Sequence, residues 1–346
     1  MSDKKWVRFL FAGLFVAGLS ITASTPFAHA ASVTLRLAHT DAPDVYTGKK
    51  HANAVMFKSI VEDKTQGEVK IEIYPANQLG GERETIEATQ IGTLDLCLTS
   101  DGPLVSFYPP SCVLTIPFLF SSYEEAWKVL DGPFGKMLAD DMVKREGIRT
   151  LGYAQTGFRH FLNSKRMLRS PADLKGLKIR VMQSPLYMTM VESLGANPTP
   201  VPWPEVYSAA QQGVVDGMEM PVGSVVMVKL FEVQKYMVLD GHVFSTDFLL
   251  MNEKKFQSLS KPVQNVFLEA GYVASTAGRA IEALSSALGV ETLRKRGMTV
   301  YAPNAQEMSQ FRSLSQKPVL TWLRKELGKD ESWVDRVLKE VESVRR

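Results

Sequence analysis

The sequence predicts an α/β fold. Two observations carry this: short apolar or alternating segments are separated by segments of helical periodicity, and the strand–helix–strand order recurs in both halves of the chain. With 346 residues, 45% hydrophobic and 22% charged, the composition is that of a globular protein. Single cores stop growing near ~250–300 residues, so about two domains are expected.

Residues 1–30 read as a secretory leader. Lys4, Lys5 and Arg8 precede an apolar run over 9–21, and Ala28-His29-Ala30 offers a small-x-small cleavage site. The run has 13 residues, short of the ~20 that a membrane-spanning helix needs. An exported protein, cleaved after about Ala30 and without a membrane span, is expected. The leader holds three basic residues and one acidic one, so 37 basic and 36 acidic residues follow it. The basic excess of the whole chain therefore gives no support to a nucleic-acid-binding surface.

Val33–Ala38 alternates apolar and polar residues and reads as a first strand. Residues 57–64 continue a helical pattern that ends at the turn Thr65-Gln66-Gly67, and Val69–Tyr74 alternates again, with Val69, Ile71 and Ile73 on one face. Gly80-Gly81 breaks the chain before a helix over 82–92, whose acidic first turn suits the positive end of the helix dipole. Residues 94–98 are continuously apolar, as in a strand buried on both faces, and a largely parallel sheet is expected. Cys97 sits in that run and reads as a buried thiol; Cys112 could pair with it in an oxidising compartment, although their spacing matches no metal or redox motif.

The second half repeats the grammar. A strand over 177–182 precedes Ser184-Pro185, an N-cap and first-turn proline for a helix ending at Gly195. A helix over 204–212 stops at Gly213, and a strand over 214–218 follows, ended by Pro221. Residues 263–296 form a long helical stretch, with Gly271, Gly278 and Gly289 as weak points, before amphipathic helices over 308–327 and 333–344. No low-complexity tether intervenes, so strands and the long helix would join the lobes.

Signatures of catalysis are sparse. His39, His51, His160 and His242 form no metal-binding pair, and there is no Gly-x-Ser-x-Gly elbow or Gly-rich phosphate loop. The set points towards binding, with no catalytic residue, cofactor or metal expected.

From residue 33 onward the chain resembles the DctP-type solute-binding proteins of TRAP (tripartite ATP-independent periplasmic) transporters. The resemblance begins with Leu35-Arg36-Leu37-Ala38-His39 and Tyr74-Pro75-Ala76-Asn77-Gln78-Leu79-Gly80. It continues through Ile91-Gly92-Thr93-Leu94-Asp95, Pro117-Phe118-Leu119-Phe120 and Asp173-Leu174-Lys175-Gly176-Leu177-Lys178-Ile179-Arg180. Leu194-Gly195-Ala196-Asn197-Pro198-Thr199-Pro200, Glu205-Val206-Tyr207 and Gly213-Val214-Val215-Asp216-Gly217 follow in the same order. It implies a two-lobe periplasmic solute-binding fold, each lobe a mixed β-sheet flanked by helices, with a long helix spanning both. The expected division is 31–157 plus 246–285 for lobe I and 158–245 plus 286–346 for lobe II. It also implies a small organic carboxylate held between the lobes and delivered to small and large membrane permease subunits. Uptake would be driven by an ion gradient, commonly sodium. A monomer is the expectation for such a shuttle.

Arg180 matches the family arginine that pairs with the ligand carboxylate. On strand phase alone it falls with Lys178, opposite Leu177, Ile179 and Val181, and would read as solvent-facing. A guanidinium can make two parallel charge-assisted bonds to a carboxylate, each contributing ~1.5–3 kcal/mol. A micromolar ligand needs about 8 kcal/mol, so Arg180 does not suffice alone. Arg159 matches a second pocket arginine, and two cations facing the cleft would demand an anion. Trp203, fixed between Pro202 and Pro204, matches an aromatic placed over the ligand. Glu219-Met220-Pro221 stands where the family usually has Glu-Asn-Pro; a thioether cannot replace an amide donor, which suggests a less polar pocket. The resemblance places His39, Glu82, Ser100 and Phe244 near the cleft mouth. Trp203 and Met220 make a monocarboxylate or 2-oxo acid with an apolar or aromatic body the preferred ligand, with a C4-dicarboxylate or sugar acid as the alternative. A periplasmic hydrolase or a ligand-binding sensor module is the competing reading from another class.

Overall fold

One long strand shared by two half-sheets organises the backbone. The computed structural model describes residues 33–346; the leader expected at 1–30 lies outside them. The first half runs β1 (Val33–Ala38), α1 (Lys49–Lys64), β2 (Val69–Tyr74), α2 (Glu82–Ile91), β3 (Leu96–Ser100), α3 (Asp101–Leu104), α4 (Tyr123–Asp131) and α5 (Pro133–Glu146). The shared strand β4 (Ile148–Asn163) follows. Then come β5 (Lys178–Val181), α6 (Pro185–Ser193), β6 (Asn197–Pro200), α7 (Val206–Gln211), β7 (Gly217–Met220), α8 (Val222–Met227) and β8 (Tyr236–Val238). The chain returns through β9 (Val243–Asn252), α9 (Glu253–Ser258) and α10 (Lys261–Lys295), and ends with β10 (Thr299–Tyr301), α11 (Ala305–Leu327) and α12 (Ser332–Arg345).

Strand order is β2-β1-β3-β9-β4-β7-β5-β6, with β8 beside β4 and β10 beside β8. From Ile148 to Arg159, β4 pairs antiparallel with β9; from His160 to Asn163 it pairs antiparallel with β7. Outside this centre the pairs β1–β2, β1–β3, β5–β6, β5–β7 and β8–β10 are parallel. The sheet is therefore mixed: the largely parallel arrangement expected from the pattern holds only away from β4 and β9. Those two strands carry no clean alternation. Every residue of β9 is buried, and β4 is interrupted by register shifts at Gly152 and Gly157.

Most other boundaries fall within two residues of expectation. The strand expected at 94–98 starts at Leu96, and the one expected at 214–218 starts at Gly217. In the latter case the backbone is still turning at Gly213, where φ is +72°. The helix expected at 204–212 opens with a 3₁₀ turn, Trp203–Glu205, set by its flanking prolines. Cys97 and Cys112 are both free and buried. Burial pushes the Cys97 thiol up to about 12, so it stays protonated and inert.

The 35 residues of α10 pack on α1 and β4 in the first half and on α8 and β10 in the second. Among the described residues no helix is long and apolar enough to cross a membrane. Gly271 of α10 is not the weak point its residue type suggests. A Cβ there would lie 2.4 Å from the Leu151 carbonyl oxygen, and one at Gly152 would lie 2.4 Å from the Gly271 carbonyl oxygen. Bare backbone on both sides lets the helix lie directly on β4. At the C-terminus α11 packs on α6, and α12 packs on α4 and α5.

Overpacking such a contact costs about 1–3 kcal/mol. Gly152→Ala should therefore lower the urea-unfolding free energy by about that amount. Unchanged stability would contradict the close approach of α10 to β4.

Candidate functional site

The two half-sheets meet at a cavity. One wall comes from the loop after β1 (Thr40, Asp41), the start of α1 (Lys49, Lys50), the start of α2 (Glu82) and the end of β3 (Ser100). The other comes from β4 (Thr156, Arg159), β5 and its end (Arg180, Met182), Trp203, and the β7–α8 connection (Met220, Pro221, Ser224). The cavity volume is about 30 Å³. The site is small and tightly walled.

Arg180 reaches it from the middle of β5. Ile179 and Val181 point into the core, which turns Arg180 to the opposite face, as the strand period requires. That face is the cavity and not solvent: Arg180 is only 3% exposed. Its Nε–H donates to the Val201 carbonyl at 2.9 Å, and no carboxylate oxygen lies within 4.0 Å of it among the described residues. Four of its five N–H donors make no hydrogen bond to the described residues. Burial pushes its pKa down to about 10, opposed by Glu219 and reinforced by Arg159, so it remains a cation at neutral pH.

Arg159, on β4, is differently placed. Glu219 of β7 holds it through both carboxylate oxygens, and its Nη2 also donates to the Glu219 carbonyl at 2.6 Å. Glu219 lies 3.6 Å from Nε2 of His242, whose Nδ1 lies 2.8 Å from Asp240. The result is a buried chain of alternating charge, Asp240–His242–Glu219–Arg159. Burial works against a charged His242 ring, but Asp240 and Glu219 outweigh it and raise the group to about 9. Arg159 thus brings its own counter-charge, and the expectation of two uncompensated arginines holds for Arg180 alone.

The facing wall carries a second network. The Lys50 ammonium donates to Glu82, to Ser100 Oγ at 2.9 Å and to Thr40 Oγ1 at 3.4 Å, with Asp247 3.5 Å away. Burial alone would lower its pKa, yet Asp247, Glu82 and Asp41 hold it above the ordinary value. All of the Glu82 side-chain bonds use Oε1, including those from the Ser100 N–H and Oγ at 2.8 Å each. Asp41 accepts the Lys50 backbone N–H through Oδ2 at 3.0 Å. Glu82 Oε2 and Asp41 Oδ1 accept no hydrogen bond from the described residues.

Six of the eight residues expected at the site line this cavity: Arg180, Arg159, Trp203, Met220, Ser100 and Glu82. Two do not. His39 is buried behind Thr40, its ring 3.1 Å from His51, and burial lowers it to about 4 and keeps it neutral. Phe244, on β9 beside β4, packs against Phe120 and Phe158 at ring separations of 5.6 and 5.4 Å, away from the cavity lining. Met220 and Met182 make part of the wall apolar, and Lys49, Lys50, Asp41 and Glu82 line the facing wall. Sequence reading missed Lys49, Lys50 and Asp41. One signal was present: two lysines in the first turn of α1 oppose the helix dipole, an inconsistency of the kind that marks functional positions.

The His242 chain has a pH signature. Its raised pKa means that the folded state holds a proton the unfolded state has lost, so its stabilisation is full below about 6.5 and disappears as pH rises through about 9. Glu282 and Asp101, pushed up to about 7 mainly by burial, have finished titrating by pH 8. Urea-unfolding stability should therefore fall by about 1–2 kcal/mol from pH 7.5 to 9, and His242→Gln should flatten that fall. An equal slope in the variant would contradict the assignment.

The profile of DctP, the bacterial extracellular solute-binding proteins of family 7, matches residues 45–325. The chain is 31% identical over 287 residues to the 2,3-diketo-L-gulonate-binding periplasmic protein of Escherichia coli, covering 83% of this chain and 85% of that one. Among solved structures, a TRAP periplasmic solute-binding protein from Polaromonas sp. JS666 bound to D-erythronate superposes with a TM-score of 0.83 at 36% identity, covering 89% of this chain and 98% of that one. Another, from a Bordetella species and with bound density assigned to pantoate, gives a TM-score of 0.82 at 34% identity, covering 90% and 98%.

Proposed function

The chain belongs to the DctP family of TRAP periplasmic solute-binding proteins, and from that premise we propose that its ligand is a short, hydroxylated monocarboxylate of the sugar-acid class. It is a binding protein for small organic carboxylates and not an enzyme. The observation that carries the finer reading is Arg180, a buried guanidinium with no protein carboxylate in ion-pair range among the described residues and with four N–H donors left for a ligand carboxylate.

The far wall selects the rest of the molecule. Glu82 Oε2 and Asp41 Oδ1 are acceptors, so they suit ligand hydroxyls and repel a second carboxylate. A 2-oxo acid with an apolar or aromatic body offers these oxygens no donor, and the small void favours a short chain. Several relatives support this reading: D-erythronate and pantoate are both four-carbon-chain acids carrying hydroxyls, and 2,3-diketo-L-gulonate is a sugar acid, whereas relatives of lower identity hold succinate or orotic acid. The balance therefore moves from the apolar acid favoured by Trp203 and Met220 to the sugar-acid alternative, with Met182 and Met220 lying against the carbon chain. The half-sheets on either side of β4 act as lobes that close on the ligand, and the loaded protein docks on the small and large permease subunits.

Protein freed of carried-over ligand by unfolding and refolding should be stabilised by D-erythronate and pantoate, by about 2.7 kcal/mol at a hundredfold excess over Kd. Succinate and phenylpyruvate should stabilise less. Arg180→Ala should abolish the thermal shift without lowering unliganded stability, because it removes a buried charge that has no protein counter-charge within ion-pair range among the described residues. Equal stabilisation by neutral erythritol and by erythronate would overturn the reading.

A further inference from the structure

Lys49 and Lys50 are adjacent, buried and both at the cavity, yet their ammonium groups are differently committed. An ammonium has three donors. Lys50 uses all three, on Thr40, Ser100 and Glu82. Lys49 makes one hydrogen bond among the described residues, to Ser224 Oγ at 3.2 Å; the Glu282 carboxyl lies 3.6 Å away, beyond hydrogen-bond distance. Two Lys49 donors beside the cavity make no hydrogen bond to the described residues.

The position of those partners matters. Lys49 belongs to the wall built on β1 and β3, whereas Ser224 lies on α8, directly after β7 on the other wall, so their bond crosses the cleft. Glu282 sits where α10 passes the junction of the half-sheets. A Cβ at Gly157 would lie 2.9 Å from Glu282 Oε1, and one at Gly223 would lie 3.0 Å from both carboxylate oxygens. Gly157, at φ +107°, marks the last register shift of β4 before it changes partner from β9 to β7. One cation thus touches the cavity, the opposite wall and the junction between the halves.

We propose that Lys49 couples ligand capture to closure: its remaining N–H groups donate to a ligand oxygen remote from Arg180 while the same ammonium spans the cleft to Ser224. Lys50, fully satisfied within one wall, only shapes the site. The proposal rests on the reading of this cavity as the ligand site.

The test is a mutant cycle read by stopped-flow tryptophan fluorescence, with D-erythronate and pantoate as the probes. Lys49→Met should weaken binding about tenfold or more, mainly through faster dissociation, because closure holds the ligand. Ser224→Ala should weaken it severalfold and lower the melting temperature of the liganded protein more than that of the unliganded one. The double variant should bind no more weakly than Lys49→Met, since the Ser224 contribution runs through Lys49. Additive effects on Kd, normal binding by Lys49→Met, or an equal non-additivity in unliganded stability would each overturn the coupling. If Lys49→Met does not fold, Ser224→Ala decides alone: unchanged dissociation refutes the proposal. Arg180→Ala runs alongside. If it binds normally, the reading of the site fails, whereas its loss of binding with normal Lys49 variants sinks only the closure role.

Discussion

The rest of the site depends on one unbalanced charge. Taking a guanidinium out of water costs several kcal/mol unless an anion and hydrogen bonds replace its hydration. Arg180 is buried to within 3% of full enclosure, with one backbone carbonyl as its hydrogen-bond partner among the described residues. Its neighbours are matched. Arg159 is neutralised by Glu219, Lys50 by Glu82 and Asp247, and Lys49 has Glu282 nearby. An anionic ligand meets Arg180 as its missing partner, while charges already in balance favour it less.

That imbalance is held in place by rigid elements. Arg180 projects from a strand between β6 and β7, and Glu219 on β7 fixes Arg159 on β4, so the two guanidinium groups share a wall with little freedom. The opposing wall is fixed at helix starts and at the end of β3. The halves are joined by β4, β9 and α10, with α10 lying on β4 through the Gly152–Gly271 contact. In the proposed closure the walls would move by bending these strands and α10 at the Gly157 junction.

Much of this was legible in the sequence, for identifiable reasons. β1 and β2 declared themselves because each buries one face and alternates, and α10 because its helical period persists for 35 residues. β4 and β9 did not, because burial on both faces and register shifts erase the alternation. At the site, strand phase correctly set Arg180 opposite Ile179 and Val181 but could not say that its face was a cavity and not solvent. The resemblance supplied that, along with Arg159, Trp203, Met220, Glu82 and Ser100 as candidates, all of which line the cavity. His39 and Phe244 lie outside its lining. Lys49, Lys50 and Asp41 escaped because charged residues near a helix start ordinarily read as solvated. Met220 makes its wall less polar, while Lys49, Lys50, Asp41 and Glu82 line the facing wall.

The central claim is that a ligand carboxylate provides the counter-charge of Arg180. Calorimetric affinities for D-erythronate and for its amide, which keeps shape and hydroxyls but carries no charge, test it most directly. With two charge-assisted bonds at stake, the acid should bind at least about a hundredfold more tightly than the amide. That preference should collapse in Arg180→Ala. Equal affinity for acid and amide in the unaltered protein would contradict the account.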